Sequence, residues 1–305
     1  MAATATVTEP LPSTTNVQDI KALEEQRDAL SEDHENEKMK HPTCRQPGLF
    51  SRARIFGPIE KERGDLALLA CCLVTGLVDA AAFSNWGVFV GMQTGNTVIL
   101  GLSASGLPAN PNAWLTTLIS ILSFLLGAFA TFRLSLWISP LGVNSNRLLA
   151  SSLLFIQGLF ILISAALSTP DGLIPQNPGN TDRYTLEPHW VLEDIRIVSL
   201  FAPLGFQAGM QIATSRLLGF NELPVNVLTS TYYDIMGDFK LLAFNNVKGN
   251  RRVLAALLLL VGAIASGWMM RSRGGLESVL WLSAAIKLGT GIAMFVWLPV
   301  ARSKD

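Results

Sequence analysis

The fold is decided by residues 66–105, which read LALLACCLVTGLVDAAAFSNWGVFVGMQTGNTVILGLSAS. The apolar run 66–83 has about the length that a helix needs to cross the roughly 30 Å hydrocarbon core of a bilayer. The next run, 86–105, is equally apolar at its ends but carries the polar sequence MQTGNT at 92–97. These residues predict a membrane-spanning helix followed by a polar, glycine-containing membrane segment.

The composition of the chain agrees with a membrane protein. Half of the 305 residues are hydrophobic and 15% are charged, whereas a soluble domain carries about 25% charged residues. Residues 1–65 hold 21 of the 46 charged residues. This distribution excludes an ordinary soluble enzyme, a fibrous protein and a disulfide-rich secreted module. Because the net charge is zero, no nucleic-acid partner is expected.

Similar apolar segments recur along the chain and predict an all-α, polytopic transmembrane helical bundle. Eight segments are expected, at 66–83, 86–105, 113–138, 148–168, 196–218, 223–244, 253–270 and 276–299. They group into a membrane domain, 64–300, whose halves 64–168 and 196–300 are joined by the polar loop 169–195. A cytoplasmic, largely disordered N-terminal tail, 1–63, and a short cytoplasmic C-terminus, 301–305, complete the predicted organisation.

The two halves resemble each other. The sequence Gly76–Ala80 in the first segment is similar to Gly205–Ala208 in the fifth, and Thr94–Thr97 in the second is similar to Thr229–Thr231 in the sixth. Weak internal similarity of this kind is typical of duplicated transporter folds. Chance resemblance is the alternative.

The number of spans is left open by the sequence. If the second and sixth segments are broken or re-entrant, six full spans remain and 9 Lys/Arg lie on the cytoplasmic side against 4 outside. If all eight segments cross, the count is 8 against 5. Both arrangements place the two termini in the cytoplasm, and the positive-inside rule slightly favours six spans plus two re-entrant segments.

Four charged residues stand out within the predicted membrane segments: Asp79, Asp234, Asp238 and Lys287. An ionisable side chain at the bilayer centre costs about 2.5–3.5 kcal/mol or more, so it is usually paired or faces water. Asp79 and Asp234 are the expected partners for Lys287. The alternative is that Lys287 hydrogen-bonds carbonyl groups or faces a water-filled vestibule.

The best candidate for a binding site is the sequence Thr94-Gly95-Asn96. Glycine lets the backbone leave helical geometry, and Asn and Thr side chains can then bind a solute beside freed backbone groups. The matching half of the site would be supplied by Asn226, Thr229 and Thr231, with Gln207 and Gln211 one helical turn apart on the neighbouring face. The same residue types also allow close helix packing and interhelical hydrogen bonds, so a packing role is the alternative.

These motifs resemble a known family. The sequences Gly76–Ala80 and Phe89–Val98, followed by Gly205–Ala208 and Thr229–Asp234, are similar to the signature of the YoaK-like integral membrane family, catalogued as domain of unknown function 1275. The resemblance covers about 65–300 and implies a multipass membrane protein. It implies no particular activity.

No enzymatic signature stands out, and neither a cofactor nor a metal is expected. The three histidines, His34, His41 and His189, lie outside the predicted spans, which argues against haem or His-based metal chemistry in the membrane. The favoured function is transport or channel-like passage of a small polar or ionic solute across the lipid bilayer. The alternative is a non-transporting membrane scaffold or assembly factor whose tail, 1–63, binds a cytosolic partner.

Overall fold

The computed structural model describes residues 64–107, 112–140, 142–143, 146–169, 195–220, 223, 225–226, 228–240, 243 and 245–297. Within these residues the chain is all-helical and contains no strand, which confirms the predicted fold class. The helices are α1 Asp65–Trp86, α2 Gln93–Ala104, α3 Ala113–Ile138, α4 Arg147–Leu167, α5 Val198–Leu217, α6 Leu228–Met236, α7 Val247–Met270 and α8 Gly275–Trp297. The predicted tail, most of the polar loop and the C-terminus lie outside the described residues.

Six of these helices can cross a membrane. By length and hydropathy they are α1, α3, α4, α5, α7 and α8. With 12 and 9 residues, α2 and α6 extend only about 18 Å and 14 Å along their axes. Both are too short to cross a hydrocarbon core of about 30 Å.

Contacts between the long helices fix their relative directions. Asp65, at the start of α1, pairs with Arg251, near the start of α7, at 2.9 Å. Asn85, near the end of α1, donates a hydrogen bond to the sulfur of Met270, at the end of α7. Therefore α1 and α7 run parallel. We call the side where α1 begins the Asp65 face and the side where it ends the Trp86 face.

The fifth helix runs the other way. Trp86, at the end of α1, packs edge-on against Phe201, near the start of α5, so α5 begins at the Trp86 face and ends at the Asp65 face. Helix α3 is parallel to α5, since Ser120 lies against Gly205 and Phe124, four residues further on, lies against Gly209.

These directions make the two short helices re-entrant. The chain leaves α1 at the Trp86 face and begins α3 at the same face, so the segment containing α2 enters and returns on one side. By the same reasoning the segment containing α6 enters and returns at the Asp65 face, between the end of α5 and the start of α7. The structure therefore has six full spans and two re-entrant segments that enter from opposite faces.

The two halves have equivalent helix contacts, and most pairs of long helices that pack together come from different halves. Helix α1 packs on α7 as α5 packs on α3, α2 packs on α3 as α6 packs on α7, and α8 packs on α1 as α4 packs on α5. The contact between α4 and α8 joins the last helix of one half to the last helix of the other, so it is its own counterpart. The first helix of each half thus packs against the third helix of the other half.

Close contacts at glycines show which residues of the two halves correspond to each other. A Cβ atom on Gly76 of α1 would lie 2.0 Å from the carbonyl oxygen of Leu259, and one on Gly209 of α5 would lie 1.9 Å from that of Phe124. Gly76 therefore corresponds to Gly209. The sequence comparison paired Gly76 with Gly205, one helical turn too early.

The reciprocal contacts agree with this register. A Cβ atom on Gly262 would meet the carbonyl oxygen of Leu73 at 2.2 Å, and one on Gly127 would meet that of Phe206 at 2.1 Å. The same residue-number offset that relates Gly127 to Gly262 relates Thr94 to Thr229, which is the correspondence that the sequence predicted.

The outer faces of α3 and α7 are apolar in the same register. Leu122, Leu125, Leu126 and Phe129 of α3 are each more than half exposed, and so are their counterparts on α7, Leu257, Leu260, Val261 and Ile264. A soluble surface rarely carries apolar stripes of this size. These stripes are the lipid-facing surfaces of the domain.

We expect Gly76→Ala and Gly209→Ala each to lower the free energy of unfolding by about 1–3 kcal/mol, because the added methyl group pushes the paired helices apart. Gly289→Ala is the matched control, since a Cβ atom there meets nothing within 4 Å. The thermal unfolding midpoint of the purified protein measures the effect. A loss in the Gly289 variant as large as that in the other two would contradict the assignment of the helix seams.

Six spans and eight spans can be distinguished by cysteine labelling from one side of the membrane. Cys71 and Cys72 are buried, so a Cys44→Ser background suits single replacements at the exposed positions Ser105, Ser272 and Phe239. A membrane-impermeant maleimide is expected to label Ser105→Cys and Ser272→Cys from the same side, and Phe239→Cys from the other. Eight full spans would place positions 105 and 272 on opposite sides.

Candidate functional site

The first re-entrant segment begins where a glycine ends α1. Gly87 adopts a left-handed conformation with φ 66°, and its N–H donates to the carbonyl oxygen of Phe83 at 2.8 Å. The chain then turns back toward the membrane centre without helical structure until α2 begins at Gln93. The ring of Phe89 stacks on that of Phe83 with centroids 4.5 Å apart.

Asp79 holds this non-helical stretch. Its Oδ1 atom accepts hydrogen bonds from the backbone N–H groups of Val90 and Gly91, both at 2.7 Å. The side chain lies about two turns before the end of α1 and is only 3% exposed. A carboxylate thus satisfies two backbone donors that the break in the helix leaves without intrahelical partners.

Asn96 fixes the other side of the same turn. Its Oδ1 atom accepts from the Phe89 N–H at 2.9 Å, and its Nδ2 atom donates to the Phe89 carbonyl at 2.7 Å, to Gln93 Oε1 at 2.9 Å and to Ser120 Oγ at 3.1 Å. The side chain is fully buried. These hydrogen bonds engage both the oxygen and the nitrogen of the Asn96 amide group. Asn96 therefore positions the re-entrant segment.

Asn226 holds the second re-entrant segment in place. Its Nδ2 atom donates to the Ala208 carbonyl at 2.9 Å, and its Oδ1 atom accepts from Gln211 Nε2 at 2.7 Å and from Thr75 Oγ1 at 3.2 Å. The preceding residue, Val225, has φ 55°, a conformation that is strained for a β-branched residue. The segment is therefore held in place by side chains of α1 and α5.

Lys287 is buried at the middle of α8. Its Nζ atom donates to Gln157 Oε1 of α4 at 2.6 Å and to Gln211 Oε1 of α5. Gln157 donates in turn to Thr214 Oγ1 at 3.1 Å, and Gln211 donates to Thr75 Oγ1 at 2.7 Å. The ammonium group is therefore solvated by two amide oxygens, not by either of the carboxylates expected from the sequence.

Asp234 lies away from this centre, toward the Asp65 face. Its Oδ2 atom is 3.4 Å from Arg252 Nη2, and Asp238 is 4.0 Å from the same guanidinium group. Asp238 also accepts from Asn246 Nδ2 at 2.7 Å and from the Lys240 N–H at 2.9 Å. The bond from Asn246 first, then that from Lys240 and the charge of Arg252, keep the pKa of Asp238 below its usual value.

A small cavity lies between the two re-entrant segments. It is lined by Thr75, Val78, Asp79, Val90, Gly91, Gln207, Ala208 and Asn226. Its volume of about 10 Å³ gives room for a single water-sized particle. Two buried oxygens in its lining, Asp79 Oδ2 and Gln207 Oε1, have no hydrogen-bond partner.

The structure brings together only part of the predicted site. Asp79, Gln207 and Asn226 line the cavity, and Lys287 is joined to Asn226 through Gln211.

The other predicted residues lie outside the cavity lining. Thr94 and Thr229 have exposed side chains. Gly95 packs on the Phe89 ring, where a Cβ atom would lie 2.8 Å from Cδ2. Asn96 bonds to the turn itself.

Sequence reasoning missed two members of the polar centre, Thr75 and Gln157. Gln157 stands alone among apolar residues in the middle of α4, a position that marks a membrane-buried amide as clearly as Lys287 marks a buried charge. Thr75 gives no such signal, because its hydroxyl also bonds the Cys71 carbonyl of its own helix. Within the described residues, no three His, Cys, Asp or Glu side chains are grouped to hold a metal ion.

Six apolar spans around a buried polar centre define a multipass integral membrane protein of the α-helical class. The chain belongs to the DUF1275 family, described as proteins of unknown function, whose match extends over residues 67–293. The resemblance to the YoaK-like membrane family is thereby confirmed. Neither a curated protein nor a solved structure matches the chain.

We expect Asn96→Ala to lower the free energy of unfolding by about 1–3 kcal/mol, because it leaves the N–H group of Phe89 without its side-chain acceptor and the Phe89 carbonyl with the Ser120 hydroxyl as its remaining side-chain donor. Thr97→Ala is the matched control, since the Thr97 side chain is exposed and bonds only to the Gln93 carbonyl of its own helix. Thermal unfolding of both variants tests this role. Equal midpoints for the two variants would mean that Asn96 does not hold the turn.

Proposed function

We propose that this protein passes a small polar or ionic solute across the membrane, with no enzymatic step. The observation that carries the proposal is the meeting of two re-entrant segments beside a buried polar cavity. A Cβ atom on Gly91 would lie 3.5 Å from Asn226 Cγ, and these two positions correspond to each other in the two halves. Paired broken segments that meet at mid-depth are how many transporters build a solute site.

The chemistry of the centre suits a polar solute. Non-helical backbone is tolerated at membrane depth only when it is buried in protein or lines a cavity. Here the carboxylate of Asp79 and the amides of Gln207 and Asn226 lie beside that backbone. The size of the cavity restricts the solute to a very small one while the centre is closed.

The arrangement of helices also supports alternating access. Helices α1, α6, α7 and α8 pack with one another, and so do their counterparts α5, α2, α3 and α4. The two groups meet through α1 with α5 and through α4 with α8. We propose that these groups rock against each other around the cavity, since bistable packing interfaces convert small shifts into domain motion.

The distribution of basic residues supports a cytoplasmic Asp65 face. Near that face the described residues include Arg133, Arg147, Arg216, Lys240, Lys248, Arg251 and Arg252, whereas the Trp86 face has Arg196, Arg271 and Arg273. Cytoplasmic loops are enriched in Lys and Arg. We therefore propose that both chain termini are cytoplasmic.

Gly91→Ala is expected to abolish solute binding, because its methyl group would lie 3.0 Å from Asp79 Oδ2 and fill the cavity. Gly101→Ala, in the same segment but with nothing within 4 Å of the added atom, is the control. Thermal unfolding is measured with a panel of ions and metabolites. A ligand at about 100 times its Kd adds about 2.7 kcal/mol of stability, which should appear in wild type and Gly101→Ala alone.

Solutes that stabilise the protein are then tested for flux in proteoliposomes. Flux that Gly91→Ala removes and Gly101→Ala retains supports passage through the cavity. Binding or flux that survives unchanged in Gly91→Ala would contradict the location of the site. If no solute binds and none crosses, the scaffold function becomes the better proposal, and deletion of residues 1–63 tests it.

A further inference from the structure

Two oxygens in the central cavity have no donor. Asp79 Oδ2 and Gln207 Oε1 are both without a hydrogen-bond partner, and their residues are 3% and 4% exposed. A buried polar atom left unsatisfied costs about 1–3 kcal/mol, and more when it is charged. Both residues line the same cavity, whose volume of about 10 Å³ holds a single small particle.

The carboxylate of Asp79 also lacks a counter-charge among the described residues. Lys287 is bound by two glutamine side chains. On α7, the nearest neighbour of α1, Arg251 pairs with Asp65 and Arg252 pairs with Asp234 near the Asp65 face. Arg271 lies over the Trp268 ring at the other end of α7, and α5 carries its single basic residue, Arg216, in its last turn.

We propose that Asp79 Oδ2 and Gln207 Oε1 together bind one small monovalent cation, which is either Na⁺ or a proton. Carboxylate and amide oxygens are hard ligands that suit such ions, and the O–H group of a protonated Asp79 would donate a hydrogen bond to Gln207 Oε1. This assignment rests on the proposed function, because it names the ion that the central cavity takes up.

Other occupants fit the site less well. A water molecule would donate to both oxygens but would leave the charge of the buried Asp79 carboxylate uncompensated inside the membrane domain, where charges are expensive. A divalent ion would leave an excess positive charge beside the single carboxylate, which is costly inside the membrane. The size of the cavity, about 10 Å³, excludes larger organic cations.

The test measures the thermal unfolding midpoint of the purified full-length protein while Na⁺ replaces choline at constant ionic strength, in an acidic and in an alkaline buffer. Wild type is compared with Asp79→Asn. The asparagine amide can donate a hydrogen bond to Gln207 Oε1 and carries no charge. We therefore expect that neither Na⁺ binding nor protonation in this cavity changes the unfolding midpoint of the variant. Asp65→Asn, a carboxylate-to-amide change on the same helix but in the ion pair with Arg251, is the matched control.

A midpoint that rises and saturates with Na⁺ in wild type and Asp65→Asn, but not in Asp79→Asn, identifies Na⁺. Midpoints that ignore Na⁺ but depend on pH in wild type and Asp65→Asn alone identify a proton. If wild type and Asp79→Asn respond alike to both, the cavity holds water only and the proposal is wrong.

If Asp79→Asn does not fold, Gly91→Ala provides a second test, because it fills the cavity and keeps the carboxylate. Radioactive sodium should then bind wild type at about one ion per chain and bind Gly91→Ala at least tenfold more weakly. Cation binding without any solute flux would remove the transport proposal and keep this site. Solute flux that is independent of Na⁺ and pH would keep transport and remove the cation site.

Discussion

The membrane domain depends on one constraint: backbone N–H and C=O groups inside a bilayer must find partners within the protein. Six spans meet it with regular helices, but the stretch between α1 and α2 cannot. There the carboxylate of Asp79 accepts the N–H groups of Val90 and Gly91, and the amide of Asn96 bonds both backbone groups of Phe89. Without these two side chains a broken backbone at this depth would be too costly to form.

The polar centre consists of two parts with different electrostatics. Around Lys287 the positive charge is spread over the amides of Gln157 and Gln211, whose other atoms bond to threonines. Among the described residues, the negative charge of Asp79 is balanced only by backbone N–H groups on one of its oxygens. The two charged groups bind different partners, and that separation leaves one carboxylate oxygen without a partner in the cavity.

The sequence predicts the segments better than it predicts their partners. Hydropathy and segment length are local, so the eight apolar segments and the polar character of two of them could be expected from the sequence, whereas the choice between six and eight spans could not. The pairing of Gly76 with Gly209 could not, because a helix face repeats nearly every turn and a glycine one turn away fits a sequence comparison equally well. Likewise the partners of Lys287 lie on α4 and α5, and only tertiary packing decides which distant amides reach it.

The exchange of helices between the halves has a consequence for how the protein is made. Gly76 and Gly127 belong to the first half of the chain, but the carbonyl groups that they pack against, those of Leu259 and Phe206, belong to the second. When the first four helices leave the ribosome, the glycine faces of α1 and α3 must remain against lipid until α5 and α7 are inserted. The first half is therefore not a folding unit, and the finished molecule has the architecture of an antiparallel, helix-swapped homodimer joined into one chain.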